Sequence, residues 1–107
     1  MRSESKNDLR NDLKQKLRIT WNQEKTDNEI MALIDNAESY LNHLLGAEID
    51  YSAPGMERLL FLNFCMYAWN DCQDEFEDAY IKDINRVRAV YEVKAYEDQA
   101  EKNTESE

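Results

Sequence analysis

The chain has two glycines, one proline and one histidine in 107 residues. So few turn-forming residues exclude a many-stranded, turn-rich architecture and favour helices joined by few loops. Long hydrophobic runs are also missing. The most apolar stretch, Leu59 to Trp69, is interrupted only by Asn63. As a helix it covers about 16 Å, short of the roughly 18 residues a bilayer demands. No membrane partner is expected. Met1-Arg2-Ser3-Glu4-Ser5-Lys6 carries no apolar secretory segment, so the expectation is a cytoplasmic chain whose Cys65 and Cys72 are reduced thiols.

Chemistry-bearing patterns are equally scarce. There is no glycine-rich phosphate loop and no nucleophile with a histidine and an acid in prospect. His43 has no second histidine or cysteine at ligand spacing, and reads as a surface or cap residue before a metal ligand or proton carrier. Cys65 and Cys72, two helical turns apart, read as core thiols. The acids of Asp74-Glu75-Phe76-Glu77-Asp78 would need an apolar pocket to act as a catalytic pair. No catalytic, cofactor-binding or metal-binding residue is assigned, and no cofactor is expected. The chain is read as a non-enzyme.

What the chain has in excess is acid. Its net charge is −10, and the sign is segregated. Residues 1 to 25 carry +3, residues 26 to 55 carry −6 with no basic residue, and residues 56 to 107 carry −7. Such a surface repels phosphate and gains nothing from counterion release, which argues against a nucleic-acid-binding module. It suits a surface that keeps an apolar protein soluble, or one that DNA must pass without sticking.

The hydrophobic periodicity predicts an all-α fold: a small bundle of three to four helices with a long C-terminal helix. Leu9, Leu13 and Leu17 predict a first helix over Asn7 to Arg18, capped by Ser5 or Asn7, with residues 1 to 6 flexible. Trp21 reads as a plug between the first two helices, with ligand stacking as the alternative. Thr26 and Glu29 have capping-box spacing. Ile30, Leu33, Ile34, Ala37, Tyr40, Leu41, Leu44 and Leu45 then form an apolar stripe that Gly46 ends. Pro54 predicts the next helix start, with Ser52 as cap. Cys72, Phe76, Tyr80, Ile84, Val87 and Tyr91 continue the period. Either one helix spans residues 54 to 96, or a break near Asn70-Asp71 or Asp74 divides it; a break is preferred. The domain is expected at 7–96, with a flexible acidic tail over 97–107.

Leu59 to Trp69 is apolar on every side, so as a helix it must be covered all round. A chain of this length hides only about two-thirds of its unfolded surface. The expectation is that part of the cover comes from another subunit.

The order and spacing of Leu17-Arg18-Ile19-Thr20-Trp21-Asn22, Ile30, Leu33-Ile34, Ala37, Tyr40-Leu41 ahead of Gly46, Leu59-Leu60, Asn63-Phe64-Cys65, Tyr67, Asp74-Glu75-Phe76, Tyr80, Ile84 and Tyr91 resemble the head–tail connector (adaptor, or head-completion) proteins of tailed bacteriophages of Gram-positive hosts. The likeness spans about Asn7 to Val93. It implies a small all-helical subunit of a ring, typically dodecameric, that docks beneath the portal protein, extends the DNA channel and receives a further neck or tail-completion protein. It also implies a place at the head–tail junction of the virion, reached from the host cytoplasm during assembly. On that resemblance Phe61, Phe64, Tyr67 and Trp69 would be buried between ring neighbours. Val93, Lys94, Ala95 and Tyr96 would engage the portal, and Asp74, Glu75, Glu77 and Asp78 would line a channel through which double-stranded DNA slides without specific binding. The rival expectation is an acidic helical DNA mimic that occupies a host nucleic-acid-binding protein; the apolar surplus at 59 to 69 is the feature against it.

Overall fold

The computed structural model describes the backbone of residues 1 to 105 and the side chains of residues 1 to 99. It is all-helical, with no strand among the described residues. Helix α1 spans Ser3–Lys16, α2 Glu24–Leu45, α3 Met56–Trp69 and α4 Phe76–Glu105, with one 3-10 turn, Gln73–Glu75, leading into α4. The central helix is α3, which packs on α1, α2 and α4.

The stripes read from the sequence form the core. Leu9 and Leu13 of α1, Ile30, Ile34, Ala37, Leu41 and Leu45 of α2, and Phe76, Ile84 and Val87 of α4 are buried around Leu60, Phe61, Phe64 and Cys65 of α3. A break divides α3 from α4, as expected, and of the two places left open it falls at Asn70-Asp71. Asp71 adopts φ 58°, its N–H donates to the Ala68 carbonyl at 3.1 Å, and the Cys72 N–H donates to the Tyr67 carbonyl at 2.8 Å. This is a Schellman closure, which satisfies two carbonyls that a helix end otherwise leaves free. Aspartate tolerates the left-handed region better than most residues. Gly46 ends α2 in the same conformation, at φ 74°.

Several boundaries differ from expectation. Helix α1 begins at Ser3, not Asn7, because Ser5 is buried and its hydroxyl donates to Asp50 Oδ2 at 3.3 Å; a buried serine is invisible to a leucine period. Helix α2 begins at Glu24 with no side-chain cap. The Thr26 hydroxyl instead accepts from the Trp21 indole N–H at 3.2 Å, which holds Trp21 outside the core at 48 % exposure. The buried residue of that connection is Ile19. Helix α3 begins at Met56, two residues past Pro54, since Gly55 sits at φ 144°. Ser52 is drawn away from capping by Asp50, to which its hydroxyl and its N–H both donate. Finally, α4 does not stop at Tyr96 but continues to Glu105. Nothing between them is glycine or proline, and Glu, Gln, Ala and Lys are good helix formers. Ser106 and Glu107, part of the expected acidic tail, lie outside the described residues.

The loop from Ala47 to Gly55 contributes to the core. Tyr51 is fully buried and stacks on Phe61 with ring centroids 4.8 Å apart. Its hydroxyl donates to Asn42 Oδ1 at 2.8 Å, which also accepts from the Ile49 N–H at 3.2 Å. Ion pairs staple α1 to its neighbours: Lys14 meets Asp27 and Lys6 meets Asp35, both at 2.8 Å, and Arg58 of α3 reaches Asp8 and Asp12.

Arg18, after α1, adopts φ 60° with a closure of the same kind, its N–H to the Gln15 carbonyl and the Ile19 N–H to the Lys14 carbonyl. Unlike aspartate, arginine has no local hydrogen bond to offset the crowding of its Cβ, a cost of about 1 to 2 kcal/mol. Arg18→Gly is therefore expected to stabilise the chain by about 0.5 to 1 kcal/mol, the entropy of glycine taking back the rest. A urea midpoint that rises checks this; one that falls contradicts the strain.

Candidate assembly surface

Two of the four residues expected at a subunit interface are core residues of the single chain. Phe61 is fully buried and Phe64 is 8 % exposed. Phe64 stacks on Tyr40 of α2, with centroids 4.7 Å apart and planes at 18°, and meets Phe76 of α4 edge-on at 5.2 Å. The expectation failed because α3 lies in the middle of the bundle, covered by three helices and Tyr51, so one chain supplies most of the enclosure. Tyr67 and Trp69 are half-buried. Trp69 borders a shallow groove with Leu33, Asn36 and Ala68. Leu59, on the same apolar helix, is exposed.

The four acids are grouped where α4 begins. Asp74 and Glu75 lie in the 3-10 turn, Glu77 and Asp78 in the first turn of α4, and all four are exposed. That position complements the positive end of the helix dipole, which is a sufficient structural account of them. Glu77 accepts a hydrogen bond from the Tyr40 hydroxyl. Asp74, Glu75 and Asp78 make no ion pair among the described residues.

Beside Trp21, Met56 and Leu59, the exposed large apolar side chains are Ile81, Val90, Val93 and Tyr96 of α4. The buried stripe of α4 is Phe76, Ile84 and Val87, with Tyr80 and Tyr91 half-buried. Beyond Tyr91 every described side chain is exposed. A helix rises 1.5 Å per residue, so the segment from Glu92 to Glu105 projects about 20 Å past the bundle. This is why the molecule measures 58 × 30 × 19 Å with a radius of gyration of 16.0 Å, against about 13 Å for a compact chain of this length. Opposite the buried stripe, Ala89, Val93 and Tyr96 follow the four- and three-residue steps of a second face, and Val90 stands beside them. Val93 is 56 % and Tyr96 75 % exposed. Ala89, Val90, Val93, Lys94 and Glu97 border one shallow depression. The Lys94 ammonium lies 5.0 Å from the Tyr91 ring centroid, a cation–π contact. Val93, Lys94, Ala95 and Tyr96, singled out for docking, are thus exposed together on this projecting helix. The sequence signal for the second face was the spacing of Ala89, Val90, Val93 and Tyr96, which the stronger core stripe overshadowed.

Among the described residues no three of His, Cys, Asp and Glu gather as a metal site, and no helix is long and apolar enough to cross a membrane. His43 is exposed in the last turn of α2. Burial pushes the Cys65 thiol up to about 12; Cys72 is half-buried. Comparison with protein-family models, with curated proteins and with solved structures finds no match for this chain.

Burial raises the phenols of Tyr40, Tyr51, Tyr80 and Tyr91 above the ordinary tyrosine range, and at Tyr40 the hydrogen bond to Glu77 adds to it. A phenol whose folded value lies above its unfolded one, near about 10, contributes stability that is fully present below that pH. The contribution is lost as pH rises through the folded value. The urea midpoint is therefore expected to fall above about pH 10, and less steeply in Tyr40→Phe. Tyrosines of the folded protein that all ionise near pH 10, with the midpoint unchanged, contradict the burial.

Proposed function

We propose that the chain is a subunit of the head–tail connector of a tailed bacteriophage, assembling into a ring under the portal and extending the DNA channel toward the tail. The observation that carries this reading is the helix that leaves the bundle. A monomer gains nothing by projecting some 20 Å of helix with Val93 and Tyr96 uncovered, whereas a subunit that must plug into a larger assembly needs such an extension. The resemblance in order and spacing, the all-helical fold and the small size support the same reading. In it, Val93 to Tyr96 engage the portal, and Tyr67, Trp69 and Leu59 are the α3 residues left to meet a ring neighbour. Asp74, Glu75 and Asp78 face the channel, where unpaired carboxylates repel passing phosphate.

One observation favours the rival reading, an acidic mimic of DNA. Because Phe61 and Phe64 are core residues, the apolar surplus at 59 to 69 no longer counts against a solitary, soluble, acidic protein. In that reading the same exposed acids replace phosphates on a basic host protein.

Electron microscopy of the chain mixed with portal-containing heads tests both. The connector reading expects ring density beneath the portal, and expects Val93→Asp with Tyr96→Asp to reduce portal capture at least about tenfold while helix content is retained. Failure to bind the portal, together with binding to a basic DNA-binding protein that duplex DNA competes away, would establish the mimic instead.

A further inference from the structure

The outer face of α4 carries its own complement. Arg86 stands four residues before Val90, and Glu97 stands four residues after Val93. All four are exposed and form a strip along one flank of α4, with Val93 on the face opposite the buried Ile84, and Val90 at the edge nearer Val87. If a second α4 is laid antiparallel about the midpoint between Val90 and Val93, each Val90 meets a Val93. Each Arg86 then faces a Glu97, twice by symmetry. A parallel arrangement would instead set Arg86 against Arg86 and Glu97 against Glu97, which like-charge repulsion opposes.

We propose that free subunits pair through this face as an antiparallel α4–α4 dimer of two identical chains. The interaction is isologous, so one patch serves as both surfaces. The partner's Val93 seats in the depression between Ala89, Val90, Lys94 and Glu97, and the Arg86–Glu97 pairs fix direction and register, the role that flanking charges have in coiled coils. Few large apolar residues are involved, so the dimer is weak, with a dissociation constant on the order of micromolar. The pairing hides Val93, one of the residues the connector reading assigns to the portal. On that reading, the dimer is the form in which the docking helix is stored, and portal binding displaces the second copy. The dimer itself does not depend on that reading.

Sedimentation equilibrium of the full chain across a concentration series tests the proposal. The expected result is a monomer–dimer equilibrium in which Arg86→Glu and Glu97→Arg each weaken association about tenfold. The double variant carrying both reversals should return to within about twofold of the original, and circular dichroism should show equal helix content in all four proteins. A monomer at every concentration, an oligomer larger than a dimer, or a dimer indifferent to these charges overturns it. The connector reading fails separately: a charge-dependent dimer that portal never displaces leaves this pairing intact and removes the connector.

Discussion

Phe64 is the contact on which the rest of the molecule depends. Its ring joins Tyr40 of α2 to Phe76 of α4 across the central helix. Tyr67 and Tyr80 extend the cluster, each within 6.0 Å of Phe76. Aromatic pairs of this geometry contribute about 0.5 to 1.5 kcal/mol each beyond the area they bury, a large share for a small domain whose whole net stability is roughly 5 to 15 kcal/mol. The consequence reaches past the core. Phe76 is the first residue of α4, and Tyr80, where the helix kinks at φ −117° and ψ 18°, packs on its ring, so the cluster sits at the bend from which the longest stretch of helix sets out. Past that bend Ile84 and Val87 hold the middle of α4 on the core, and beyond Tyr91 the helix leaves the bundle.

Much of this was legible in the sequence, for reasons that differ by element. The stripe of α2 could be read because it keeps to one face from Ile30 to Leu45 of a 22-residue helix, long enough for its period to stand out and for Gly46 to close it. A break near Asn70-Asp71 or Asp74 was legible from length, because one uninterrupted helix over 54 to 96 is rare in a small domain; that Asp71 would take the left-handed position was not. Helix α3 was identified correctly and its environment was not. An all-round apolar helix announces that it is covered without saying by what, and here the cover is α1, α2, α4 and Tyr51 of the same chain. Tyr51 escaped notice because a buried residue in an irregular loop belongs to no period; its only sign was the two-residue step from Ile49. Trp21 misled for the opposite reason, since a large aromatic predicts burial until a single hydroxyl, that of Thr26, offers its indole a partner at the surface.

With Phe61 and Phe64 in the core and the most exposed apolar side chains, Val93 and Tyr96, on α4, the weight of the functional question shifts from α3 toward α4. The acids at the start of α4 satisfy the helix dipole whether or not DNA ever passes them, so their presence alone distinguishes no reading. The projecting helix is different, because nothing in the single chain rewards leaving Val90, Val93 and Tyr96 in water. Charge alone fits the mimic proposal, and the projecting helix fits the proposal of assembly. On the two proposals, a portal and a second copy would both cover Val93.

The central claim is that α4 beyond Tyr91 has no cover within its own chain. Amide hydrogen exchange measured along α4 in dilute solution tests it most directly. The segment from Glu92 to Gln99 should exchange nearly as fast as an isolated helix, while Phe76 to Val87 shares the protection of α2 and α3, and the outer segment should gain protection as protein concentration rises. If Glu92 to Gln99 is as protected as the core helices in a dilute monomer, the helix is already covered and the account is wrong.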